Sequence, residues 1–99
     1  PFESHQTLNL RLSLLLGNYL DENPIGTISY APRDVKLSEQ TTYQPDLLYI
    51  ANERKSIRKP QYVEGAPDLI IEILSLSTRS MDTETKFKDY EKYCRYYEN

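Results

Sequence analysis

A small α/β domain is the fold class this chain predicts. Three observations carry it: a leucine-rich helical period at the start, short strand-like segments through the middle, and a second helical period at the end. Leu8, Leu12, Leu15, Leu16 and Tyr19 recur at helical spacing behind Ser4, whose hydroxyl suits an N-cap. Pro24 forbids continuation, so the spacing predicts an amphipathic helix over residues 5 to 21.

Gly26 opens Thr27-Ile28-Ser29-Tyr30, and after Pro32 the segment Asp34-Val35-Lys36-Leu37 alternates polar with apolar, the period of a half-buried strand. One strand interrupted at Ala31-Pro32 is expected. Ser38 to Gln44 reads as polar turn material, and Pro45-Asp46-Leu47-Leu48-Tyr49-Ile50 as a short strand in a hairpin with the one before it. Arg54, Lys55, Arg58 and Lys59 have no sustained apolar period around them, which places them on a loop or short turn of helix. Such a loop is ordinarily solvated; a phosphate contact is the sharper reading.

Gly65-Ala66-Pro67 punctuates the chain before Asp68-Leu69-Ile70-Ile71-Glu72-Ile73-Leu74, apolar on both faces and so read as a buried central strand. After the hydroxyl-rich Leu74 to Thr78, Asp82 suits the N-cap of a helix over 82 to 97, with Phe87, Tyr90, Cys94 and Tyr97 on one side. The order is helix, strand, strand, strand, helix, in one domain spanning residues 1–99 with a short mixed sheet flanked by helices. Three strands leave the sheet short of one, and Pro1 in place of Met leads to the expectation that both ends are cut from something longer.

Composition narrows the chemistry. A net charge of −3 argues against a protein that coats nucleic acid by charge alone. With one cysteine, Cys94, and one histidine, His5, an internal disulfide, a Cys-rich zinc site and a multi-histidine site are excluded, so a metal would be held mainly by oxygen. No apolar run reaches membrane-spanning length and no leader is visible at the N-terminus, so a cytoplasmic location is expected.

Glu72 is the leading functional candidate, because a carboxylate among Leu, Ile and Ile is costly unless it is paired, protonated or bound to metal. In the metal-free protein, Glu72→Gln is therefore expected to be neutral or stabilising while abolishing activity. Strand periodicity puts Asp68 and Glu72 on one face, but about 13 Å apart at ~3.3 Å per residue, too far to share one ion. Asp68 is therefore a secondary candidate. Asp46 starts the neighbouring strand, and if the strands pair, Asp46, Glu72 and the main-chain carbonyl of Ile73 can converge on one Mg²⁺ or Mn²⁺. A nearby ammonium would orient the attacking water, and Lys86, early in the last helix, is the choice, with Lys88 its control.

Pro45-Asp46 followed by Glu72-Ile73-Leu74 resembles the PD-(D/E)xK signature of the restriction-endonuclease-like superfamily. Within it, "PDLLYI", "GAPDLIIEILSLST" and "TKFKDY" resemble the Uma family of endonucleases, from about His5 to Tyr97. The resemblance implies a metal-dependent nuclease core acting on DNA, with a helix before a short sheet and a helix after the acid-bearing strand. Leu74 stands where the superfamily has its lysine, and the resemblance implies that Lys86 serves instead. His5 and Gln6 fall where the superfamily often places a further acid, and His5 there could meet metal-bound water or substrate. A homodimer would fit the cutting of both strands. The alternatives are a catalytically inactive nuclease-fold module that binds nucleic acid, and a protein-interaction domain in which Glu72 pairs with a basic side chain.

Overall fold

The leucine-rich period folds as α1 (Glu3–Glu22), and Asn23 closes it by donating both its backbone N–H and its side-chain amide to the Tyr19 carbonyl at 2.9 Å. The computed structural model describes residues 3–73 and 81–93. β1 (Gly26–Tyr30), β2 (Asp34–Ser38), β3 (Thr41–Tyr43) and β4 (Leu47–Ala51) follow, then a 3-10 turn over Asn52–Ile57. β5 (Tyr62–Glu64), β6 (Leu69–Ile71) and α2 (Met81–Tyr93) complete the order. It is an α/β architecture compatible with a restriction-endonuclease-like fold.

The strands form two three-stranded sheets. The first has the order β1-β4-β6, antiparallel throughout; the second has the order β3-β2-β5, with β2 antiparallel to β3 and parallel to β5. Leu48 and Ile50 of the first sheet meet Val35 and Val63 of the second in a core cluster where none of the four is more than 2% exposed. That burial is the main apolar driving force joining the sheets. Ile70, directly opposite Leu48 in the neighbouring strand, packs instead against Tyr90 of α2, so the same sheet face receives the second sheet and the last helix.

Several expectations change. The strand thought to be interrupted at Ala31-Pro32 is two strands in different sheets. Pro32 lacks an N–H for a ladder, its bond to Ala31 is cis, and the chain turns there. β1 then pairs with β4, and the hairpin belongs to β2 and β3. Residues 38 to 44 hold β3, whose Thr41-Thr42-Tyr43 has the β-branched and aromatic character of a strand, and Tyr62-Val63-Glu64 is a further short strand. Glu72 lies one residue past β6, and β6 is an outer strand of its sheet among the described residues. The predicted apolar stripe of α1 is also largely uncovered: Leu8, Leu15 and Tyr19 are 46%, 67% and 56% exposed, because α1 rests mainly on β1. Leu74, Cys94 and Tyr97 lie outside the described residues, as does the predicted end of the last helix.

Candidate functional site

The β4–β6 ladder aligns Leu47 with Ile71, so the next positions outward are Asp46 and Glu72. These two acids close the sheet reciprocally. The Asp46 backbone N–H donates to Glu72 Oε1 at 3.1 Å, and the Ile73 N–H donates to Asp46 Oδ2 at 2.6 Å. Each carboxylate thus supplies an acceptor where the backbone ladder has run out.

Glu72 has further partners. Lys86 Nζ lies 2.6 Å from Glu72 Oε2, and the Tyr90 hydroxyl donates to the same oxygen at 3.0 Å. Lys86 and Tyr90 are four apart on α2, so both side chains reach one point from one helix face. Glu72 is 8% exposed and Lys86 30%, a partly desolvated charge pair rather than a solvated one. This corrects the expectation for Glu72→Gln: the carboxylate has a cation and two other donors, so loss of its charge should destabilise.

α2 is braced from the second sheet. The ring of Tyr43 on β3 meets the ring of Tyr90 edge-on at 5.5 Å, its hydroxyl donates to Asp89 Oδ2 at 2.5 Å, and Lys86 Nζ sits 5.5 Å from its centroid. Both tyrosines lie beyond the sequence expectation, which puts Tyr90 on the packed side of the last helix and Tyr43 in polar turn material; the four-residue spacing of Tyr90 from Lys86 is a signal for the first, and the sequence holds none for the second.

His5 reaches the cluster from the first turns of α1. Its Nε2 lies 3.0 Å from the Ile73 carbonyl oxygen, which makes that nitrogen the N–H of its tautomer, and 3.6 Å from Asp46 Oδ1. Gln6 does not join it; it is exposed and lines a groove with Leu10, Leu14 and Tyr30. Asp68 lies at the other end of β6, where it accepts the Ala51 N–H at 2.7 Å and faces Arg54 Nη1 at 3.4 Å. Lys88 is exposed.

The donor set is hard oxygen, as Mg²⁺ requires. Asp46 Oδ1 and the Ile73 carbonyl both point at the spot where His5 Nε2 now donates, the convergence a cation needs. Glu72 fits less directly, since both of its oxygens already accept hydrogen bonds. Among the described residues no three His, Cys, Asp or Glu side chains are grouped to hold a metal ion. Nor is any helix among them long and apolar enough to cross a membrane.

No curated protein matches this sequence. The family model of Uma2, described as "Putative restriction endonuclease", matches residues 1–96, nearly the whole chain, and this protein belongs to that family.

Proposed function

We propose that this chain is the core of an Mg²⁺-dependent endodeoxyribonuclease, with Asp46, Glu72 and Lys86 as its working groups. The observation that carries the reading is their meeting in one hydrogen-bonded cluster, although they come from a strand start, a strand end and a helix. Asp46 Oδ1, the Ile73 carbonyl and, on exchange of its present partners, Glu72 would hold the cation. A bound Mg²⁺ supplies a lowered pKa for water and charge withdrawal from the phosphoryl oxygens. Lys86 keeps an ammonium beside Glu72, where it can orient the attacking water and offset charge developing on the phosphoryl oxygens. The Tyr43 ring faces that ammonium, and the Tyr90 hydroxyl holds the Glu72 oxygen that the ammonium meets. His5 Nε2 is a donor for a phosphate oxygen or the leaving group at the same spot. A homodimer and a cytoplasmic location go with this reading; Leu10, Leu14 and Leu15 are more than half exposed, apolar surface of the kind a second copy covers.

A second reading, a nuclease fold without catalysis, draws on the same geometry. Leu74 replaces the lysine of the superfamily signature, and Glu72 has both oxygens engaged without metal. A supercoiled-plasmid nicking assay separates the two. Nicking that requires Mg²⁺, stops in chelator and is lost in Asp46→Asn supports the enzyme. Duplex binding without nicking in either Mg²⁺ or Mn²⁺ supports the inactive module.

A further inference from the structure

Beside the acid cluster lies a second feature with chemistry of its own. A cavity of about 570 Å³ opens between outer strand β1 and the segment after the 3-10 turn, lined by Ser29, Tyr30, Arg33, Arg58, Lys59 and Pro60 among others. No carboxylate lines it, and none of its three cations has a carboxylate partner among the described residues. By contrast Arg54, from the same basic segment, is matched by Asp68, and Lys36 by Glu39. In a chain of net charge −3, three unmatched cations around one cavity concentrate positive potential where the molecule as a whole has none.

The three cations have different tasks. Arg33 is spent on the scaffold: Nη2 donates to the carbonyls of Lys59 at 2.6 Å and Tyr62 at 3.2 Å, and Nη1 to Pro60 at 3.3 Å. It bolts the basic segment to the corner between β1 and β2 while keeping its charge. Arg58 has one long hydrogen bond, Nη2 to Ser29 Oγ at 3.5 Å, and Lys59 Nζ reaches only the Ser56 carbonyl at 3.1 Å, so both retain donors for a ligand. Position supplies the ligand class. Tyr30 pairs with Leu47, the residue after Asp46, and the Ala31 N–H donates to the Asp46 carbonyl at 3.1 Å. The cavity therefore starts one register step from the acid cluster.

We propose that this cavity is a binding site for a phosphate of the nucleic-acid backbone, contacted by Arg58 and Lys59 and shaped by Arg33. The identity of the ligand rests on the nuclease reading; the test does not need catalysis. Binding of a fluorescently labelled DNA duplex is followed by anisotropy in chelator, across a potassium chloride series. The Arg58→Gln/Lys59→Gln double variant should bind at least ~10-fold more weakly, and the slope of log affinity against log salt should fall by about 1, as for one phosphate no longer neutralised. Lys55→Gln, an exposed lysine of the same segment outside the lining, should shift the slope by less than about half a unit. Equal slopes for the double variant and Lys55→Gln, or no duplex binding by the unmodified protein, overturn the proposal. If circular dichroism shows the double variant unfolded, Lys59→Glu alone decides, with a loss of ~5-fold or more expected and no loss overturning the site. Stabilisation by inorganic phosphate that the double variant lacks, with duplex binding equal in both, would assign the cavity to a free anion and overturn the backbone assignment. Duplex binding through this cavity without nicking leaves the site standing and removes the enzyme; nicking with an unchanged salt slope does the reverse.

Discussion

Pro45-Asp46 and Pro67-Asp68 are the same dipeptide at opposite ends of one antiparallel strand pair, both with the proline fully buried, and they have come to different chemistry. At the Asp68 end the carboxylate accepts one backbone N–H, from Ala51, and faces Arg54 across 3.4 Å, with the pair 27% and 40% exposed. That is a solvated clasp worth about 1 kcal/mol or less. At the Asp46 end two carboxylates cross-accept each other's strand, a lysine and a tyrosine converge on one, and a histidine faces the other. An acid after a proline at a strand start is therefore not diagnostic. What separates the two ends is the second acid opposite, and a helix that delivers a cation to it.

The comparison is broken first at the acids themselves. Asp46→Asn should lower Mg²⁺-dependent nicking by ~10²-fold or more, while Asp68→Asn leaves it within about twofold, measured on supercoiled plasmid. Equal losses would show that the two ends share one role. Next come the cations. Lys86→Ala should cost ~10²-fold in nicking with Mg²⁺ affinity by calorimetry little changed, and about 1–3 kcal/mol of stability by urea unfolding, since Glu72 would keep its charge at low exposure. Arg54→Ala should cost under about 1 kcal/mol and no activity.

Tyr90→Phe keeps the buried ring and removes the hydroxyl on Glu72, so a loss of about 1 kcal/mol and a fall in rate of several-fold are expected, read by unfolding and nicking in parallel. The smallest effect belongs to the Asp68 end. Burial, and after it the charges of Asp68, Glu53 and Tyr19, raise the Tyr49 phenol above its ordinary 10.0. The folded state therefore favours the neutral phenol, and that contribution is present below 10 and lost as pH rises through the folded value. Asp68→Asn should move the Tyr49 titration, followed by tyrosine-labelled NMR, back toward 10.0; no movement would mean Asp68 does not act on Tyr49.

Most of what the sequence made legible was local. Leucine spacing and Pro24 marked α1, and Leu47 to Ile50 and Leu69 to Ile71 carried enough apolar β character to stand out. Asp46, Glu72, Lys86 and the Ile73 carbonyl could be named as one group, and they do lie together. Pairing was not legible. Whether Tyr30 and Asp34 sit in one strand or in two sheets depends on which edges find partners, and three-residue strands such as Thr41–Tyr43 and Tyr62–Glu64 gain most of their stability from their neighbours rather than from their own residues. That a basic side chain pairs with Glu72 stands among the sequence alternatives; that the partner is Lys86 depends on how α2 leans on Tyr43 and is not legible in the sequence.

Asp46 and Glu72 are 26 positions apart, and a ladder of only three residue pairs sets their separation. Between them the chain makes a 3-10 turn and a basic segment before it returns through β5. Residues added there lengthen a surface excursion and leave the three rungs untouched, whereas one residue added inside β4 or β6 turns an acid to the opposite face. The protein thus divides its sequence into a part measured in rungs, where length is fixed, and a part measured in reach, where it is free. Diversification of what is gripped can proceed in the second without disturbing the alignment of the first.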